Sequence, residues 1–220
     1  MSQCLALLGG SFDPVHKGHV ALAALFDELI KPDQLRILPA GRPWQKAGLE
    51  ASDADRVAML ELAFSHQPFA VTIDLQEIER GTPTFTVDTL RALRAELGPD
   101  SAIVFLMGAD QLQKLDTWHE WHALFALAHL AVAARPGYEL AQDKLPPAVA
   151  QELARRLAAP GELRNAAHGK VCLAHTLAVD ISATQVRNAL RSGAYDSLEL
   201  GARLPPQVLD YIQQHNLYKS

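Results

Sequence analysis

Short apolar runs alternate along the chain with stripes of helical spacing. "CLALLGG", residues 4–10, is a continuous apolar run ended by glycines and predicts a buried strand. Asp13 is then expected to cap a helix with Pro14 in its first position. Leu22, Leu25, Phe26 and Leu29 mark the inward face of that helix. "LRILP" predicts a second strand, "AGRPWQKAG" a loop, and Ser52 or Asp53 the start of a helix through Val57, Leu60, Leu62 and Phe64. "AVTID" predicts a third strand, followed by a helix over 87–97 stopped by Gly98-Pro99. "SAIVFLMG", apolar throughout, predicts a central strand and "HLAVAARPG" another, with "ADQLQKLDTWHEWHALFAL" mostly helical between them. "LPPAVAQELARRL" predicts a helix, "APGELRNAAHGK" a loop and "VCLAHTLAVD" a strand. "ISATQVRNALRSG" is a helix ending at Gly193, and "PPQVLDYIQQHNLY" a last helix with Val208, Ile212 and Leu217 inward.

Strands that alternate with helices imply an α/β fold: a Rossmann-like, doubly wound, mostly parallel sheet with helices on both faces. The 220 residues fit one domain, since a single core serves up to roughly 250 residues. Residues 181–220 form a small C-terminal helical portion of it. Ligands of such sheets bind beyond the carboxyl ends of the strands.

Composition narrows the partners. The net charge is -5 and no dense run of Lys or Arg occurs, which argues against a nucleic-acid groove or a membrane-surface helix. A small anion held by a local cluster stays compatible with that charge. The apolar stretch at 123–134 falls short of the roughly 20 residues that cross a bilayer. Two cysteines, Cys4 and Cys172, form no C-x-x-C, and the N-terminus lacks a basic n-region, so a cytoplasmic protein is expected. Self-association into a homo-oligomer stays open on the sequence.

Two stretches carry candidate chemistry, each at the expected carboxyl end of a strand. In "GGSFDPVHKGH", Gly9 and Gly10 let the backbone turn close to a ligand, and the following helix points its positive end at that space. His16 and His19, three apart, share a helix face near that end. The physics leaves three readings: a phosphate cradle, a plain turn with surface histidines, or a metal pair short of further ligands. In "ISATQVR", Ser182 and Gln185 have the capping-box spacing, Thr184 offers a hydroxyl in the first turn, and Arg187 follows three residues on. Alone, that pattern reads as a capped helix with a solvated arginine.

Together the two stretches resemble the nucleotidylyltransferase superfamily. The chain is similar throughout to its nicotinate-nucleotide adenylyltransferase branch, because "ILPAGRPWQK", "ERGTPTFTVDTL", "MGADQLQKLDTWHEWHALFALAHLAVAARPG" and "LPPQVLDYIQQHNLY" also occur in that family's order. The resemblance implies adenylyl transfer from ATP to nicotinate mononucleotide by direct in-line attack, giving deamido-NAD and pyrophosphate. Mg2+ would arrive as ATP-Mg, without ligands of its own from the protein. By the same match, His16, His19 and Arg187 would be catalytic. Gly9, Gly10, Ser11, Phe12, Lys46, Ile181, Ser182 and Thr184 would hold ATP and its phosphates. Thr86, Gly108, Asp110 and Trp118 would surround nicotinate mononucleotide, Trp118 by stacking on the pyridine, and Arg135 would lie near adenosine or serve the structure.

The sequence departs from the family at Trp44-Gln45, where Pro-His is usual, and at Ala183, where serine is common. An acceptor carrying the amide, or dual specificity, is the nearest alternative. "TFTVDT" and "DTWHEW" argue against phosphopantetheine. A nucleotide-binding module without catalysis would not need His16, His19 and Arg187 together. A tRNA-binding synthetase fragment would need a basic surface that is absent.

Overall fold

Cys4–Gly10 forms strand β1 of a computed structural model that describes residues 3–43, 48–134, 144–174, 181–192 and 198–219. After it come α1 (Lys17–Ile30), β2 (Gln34–Pro39), β3 (Arg42–Pro43), α2 (Asp53–Phe64), β4 (Val71–Ile73) and α3 (Gln76–Glu79). The middle of the chain holds β5 (Pro83–Thr84), α4 (Thr86–Leu97), β6 (Ala102–Gly108), α5 (Ala109–Leu112), α6 (Leu124–Leu127) and β7 (His129–Ala133). The last part holds α7 (Pro147–Arg156), β8 (Val171–Ala174), α8 (Ala183–Arg191), α9 (Leu198–Arg203) and α10 (Pro206–Gln214).

Six strands form one parallel sheet in the order β4-β2-β1-β6-β7-β8. The chain winds outward in one direction from β1 and then in the other from β6, the doubly wound order of dinucleotide-binding folds. The reversal falls between β1 and β6. A separate short clasp pairs β3 with β5.

Side-chain alternation on the central strands builds two cores. Cys4, Ala6 and Leu8 of β1 and Val104 and Leu106 of β6 face a first core shared with Phe26 of α1, Leu60 of α2, Val186 of α8 and Ile212 of α10. Leu5, Leu7, Ile103 and Phe105 face a second, shared with Leu90 of α4, Leu124 of α6 and Val149 of α7. A strand buried on both faces needs apolar residues at every position, which is why these two read as unbroken runs.

Several expectations need correction. Asp13 does not cap α1: the helix starts at Lys17 with His16 as its cap residue, and the Asp13 carboxylate is bonded to distant parts of the chain. On α1, Leu29 is 38% exposed and Ile30 takes the inward place beside Leu22, Ala23 and Phe26. The stretch 109–127 is mostly helical, as expected, but in separate pieces. It breaks into α5, 3-10 turns at Leu115–Thr117 and Trp121–Ala123, and α6. The Thr117 hydroxyl donates to the Lys114 carbonyl and Glu120 adopts φ +48°, both of which interrupt a continuous ladder. The expected loop at 159–170 contains a 3-10 segment, Pro160–Asn165. The second half of "VCLAHTLAVD" and the Gly193 helix stop lie outside the described residues. His129, the first residue of β7, is fully buried: its Nδ1 accepts from the Lys170 amide and its Nε2 donates to the Ala166 carbonyl. Burial lowers its pKa, so it stays neutral.

Candidate active site

The strand order reverses between β1 and β6, and ligands of doubly wound sheets bind in the crevice outside the carboxyl ends at such a point, here formed by Gly9-Gly10 and Gly108. Beyond Gly10 the chain turns through Ser11 and Phe12. Phe12 is buried, has φ +48°, and presents its ring to that of His19 edge-on at 4.9 Å. His16 and His19 stack with centroids 3.7 Å apart. The His16 amide donates to Nδ1 of His19 at 3.2 Å. That bond makes Nδ1 the acceptor nitrogen, so Nε2 carries the proton as the donor nitrogen. No acidic residue sits in the first turn of α1, and its positive end is left uncompensated.

The second motif meets the first. A Cβ at Gly18 would lie 3.0 Å from the His16 ring, which would have to shift by a few tenths of an ångström, and at an ordinary contact distance of 3.8 Å from the Ile181 carbonyl, which places the start of α8 beside that of α1. Ser182 caps α8 by accepting from the Gln185 amide at 3.2 Å, while Gln185 accepts from the Ser182 amide at 2.9 Å. Both halves of the expected capping box are present. Thr184 is exposed in the first turn, and α8 also starts without an acidic residue. Arg187 donates from Nη1 to the Asp13 carbonyl at 2.6 Å, although 174 positions separate them. Its Nε lies 2.8 Å from Glu50, whose second oxygen pairs with Arg191 at 2.6 Å.

Asp13 fastens this arrangement from below. Its carboxylate accepts the amides of Glu50 and Ala51 and the Tyr218 hydroxyl, the last at 2.7 Å. Burial, with Asp13 beside it, pushes the Tyr218 phenol well above its ordinary pKa, so the hydroxyl remains a donor. Arg56 of α2, fully buried, donates to the Ser11 and Ala40 carbonyls, each at 2.7 Å.

The residues expected around the acceptor stand on the opposite face of the sheet. Thr86 opens α4, Gly108 precedes α5 and Asp110 lies in its first turn; α4 and α5 both pack on the second core. Trp118, in the link between the two 3-10 turns, packs its ring against the edge of Phe105 at 6.0 Å. Its indole Nε1 is buried and makes no hydrogen bond among the described residues. Gln111 donates to the Asp110 carboxylate at 3.0 Å. The histidine and arginine helices thus flank the crevice on one side, and Thr86, Trp118 and Asp110 on the other. Lys46 and Arg135 lie outside the described residues.

Sequence reading missed Glu50, Arg56, Glu77 and Tyr218, and misassigned Asp13. Arg56 left a trace: with Met59, Leu60 and Ala63 it follows the i, i+3, i+4, i+7 spacing of the buried stripe, a charged residue in a core position. Glu77 is buried too and accepts from the Thr89 hydroxyl at 2.7 Å. Burial pushes its carboxyl up to about 7.

Residues 7–189, which include both helix starts that meet at Gly18, match the family model described as cytidylyltransferase-like. A protein of Herminiimonas arsenicoxydans named "Probable nicotinate-nucleotide adenylyltransferase" is 56% identical over 220 residues, covering 100% of this chain and 99% of its own. One of the same name from Laribacter hongkongensis is 45% identical, with 98% and 94% covered. This chain belongs to the nicotinate-nucleotide adenylyltransferase family. Its fold is also that of the nicotinic acid mononucleotide adenylyltransferase of Plasmodium falciparum. The structure of that protein complexed with NaAD superposes with a TM-score of 0.73 at 19% identity, covering 98% of this chain and 97% of that one. Its complex with APC gives a TM-score of 0.74 at 18% identity over the same shares.

Proposed function

We propose that this crevice transfers the adenylyl group of ATP to nicotinate mononucleotide, serving NAD biosynthesis. The observation that carries the reading is the bond from Arg187 to the Asp13 carbonyl, which brings the two anion-directed helix ends to one place. The family to which the chain belongs supplies the reaction.

A phosphate oxygen of the mononucleotide attacks the α-phosphorus of ATP. The new P–O bond forms as the bond to the β-phosphate oxygen breaks, and pyrophosphate leaves with the electron pair. The protein needs no covalent intermediate; it aligns the partners and neutralises charge. The Gly9, Gly10, Ser11 and Phe12 backbone would line the nucleotide. His19 would donate from Nε2 to the reacting phosphoryl, an assignment supported by the His16 amide on its Nδ1. His16, Lys46 and Arg187 would hold the outer phosphates, and Ile181, Ser182 and Thr184 the nucleotide beside α8. Trp118 would stack on the pyridine, with Thr86, Gly108 and Asp110 around the acceptor.

Among the described residues no group of three or more His, Cys, Asp or Glu stands together as a metal cage. Mg2+ commonly binds through substrate phosphates and keeps several waters, so it would enter on ATP, where it spreads the charge of the phosphates. A cytoplasmic setting suits this chemistry, and no helix among the described residues is long and apolar enough to cross a membrane. The named groups all come from one chain, so a homo-oligomer is compatible with the site without being needed to complete it.

The test is pyrophosphate release from ATP-Mg with nicotinate and nicotinamide mononucleotides side by side. Strong preference for the acid is expected. Equal use of both would move the acceptor assignment, and release with neither would overturn the reading.

A further inference from the structure

We infer that Arg56 is a positioning residue that holds the turn leading to His16 and His19 against the segment that runs through β3 and β5 toward Thr86. This rests on the adenylyl-transfer reading and extends it to a residue placed beneath both loops. Arg56 is 0% exposed. Nη1 donates to Ser11 and Nη2 to Ala40, while the Asp53 carboxylate, 2.5 Å from Nη2, balances the charge. Nε makes no hydrogen bond among the described residues. Burying a guanidinium is costly, and apolar residues of similar volume often serve stability as well as a buried ion pair. An apolar side chain cannot fork between carbonyls on two loops, and neither can the single ammonium of lysine in the same geometry.

The two carbonyls stand just past the ends of neighbouring strands, β1 and β2, where the Ala40 amide also donates to the Gly10 carbonyl at 2.8 Å, and from there the two segments diverge. Ser11 leads through Phe12 to His16 and His19. Ala40 leads to Gly41, where a Cβ would stand 2.3 Å from the Glu77 carbonyl, and on to β3. β3 pairs with β5, and the Arg42 amide donates to the Thr84 hydroxyl at 3.3 Å. Two residues after Thr84, Thr86 opens α4 on the acceptor side. One guanidinium therefore joins the segment carrying the histidines to the segment leading to Thr86. In-line transfer depends on the relative placement of two bound reactants, and a displacement of about 1 Å can cost roughly 100-fold in rate. Each substrate's affinity depends mainly on the groups that touch it, and the buried Arg56 acts only through the segments it holds, so it acts on turnover more than on binding.

The experiment compares Arg56→Lys and Arg56→Met with the wild-type full chain. Turnover is read as pyrophosphate release, binding of ATP-Mg and of nicotinate mononucleotide by separate titration calorimetry, and folding by circular dichroism. Both variants are expected to fold, to bind each substrate within about threefold of wild type, and to lose about 30- to 100-fold in kcat. Turnover of Arg56→Lys within threefold of wild type would overturn the inference. So would a loss that follows the unfolded fraction, a loss confined to the affinity of one substrate, or failure of both variants to fold at low temperature. An inactive wild type would strike the adenylyl-transfer reading itself and take the inference with it, and it is recognised before any substitution is made.

Discussion

The hydroxyl of Tyr218 donates to the carboxylate of Asp13 at 2.7 Å, joining positions 205 residues apart. Asp13 lies in the turn between β1 and α1, and its own carbonyl accepts from Arg187. The segment that follows α10 is thus tied at Tyr218 to the turn proposed to cradle ATP. A buried hydrogen bond to a charged group contributes about 1.5–3 kcal/mol. Tyr218→Phe should therefore lower Tm by on the order of 5 °C. It should also raise KM for ATP about threefold while leaving KM for the mononucleotide unchanged, as steady-state kinetics would record. An equal rise in both constants would mean that Tyr218 serves general stability alone.

His19 differs from His16 in the backbone bond that its ring accepts. Its Nδ1 accepts from the His16 amide, which makes Nε2 the nitrogen that carries the proton. Removing one preorganised donor to developing charge costs roughly 100- to 1000-fold in kcat. His19→Ala is expected to lose turnover on that scale while the Kd for ATP-Mg changes less than about fivefold. Calorimetry showing a large binding loss with kcat preserved would reassign His19 to ground-state binding.

The sequence made legible what local physics decides. Continuous apolar runs predicted β1 and β6, and the Ser182–Gln185 box located the start of α8, whereas α1 begins at Lys17 and not at the expected Asp13-Pro14. Long-range bonding stayed hidden. Asp13 has the composition of a helix cap and is instead claimed by Tyr218 and two amides, partners that no local pattern names. Over 109–127 the pattern predicted mostly helix but not where it breaks: the chain turns between the buried Leu115 and Trp121 to bring Trp118 against Phe105. Periodicity reports burial, and burial alone does not distinguish one helix from a series of tight turns. Arg56 was in plain view on the buried stripe of α2, where its charge was the informative departure.

Trp118 meets Phe105 edge-on and leaves its indole nitrogen without a hydrogen bond among the described residues. A residue present for packing alone would be served by phenylalanine. We expect Trp118→Phe to keep most of the fold's stability and raise KM for nicotinate mononucleotide about tenfold, a loss of about 1.4 kcal/mol, with KM for ATP nearly unchanged. Parallel initial-rate measurements with each substrate varied would check this. A common rise in both would show that the ring only fills the core.

Glu77 links stability to pH. Its carboxyl accepts from Thr89, is helped by the charge of Arg80, and is opposed by Asp74. Burial outweighs these and raises its pKa from 4.5 to about 7. The folded state therefore holds this proton more tightly than the unfolded chain. The stability it contributes is complete below the unfolded value and is lost as pH rises through the folded one. Glu77→Gln keeps an oxygen for Thr89 and removes the titration. The variant's Tm should exceed that of wild type at pH 8 by on the order of 5 °C, with the gap closing as pH falls toward about 4.5. Thermal unfolding followed by circular dichroism from about pH 5 to 8 would measure it. A gap that does not change with pH would show that Glu77 stays ionised in the folded protein, and that Arg80 and Thr89 together offset its burial.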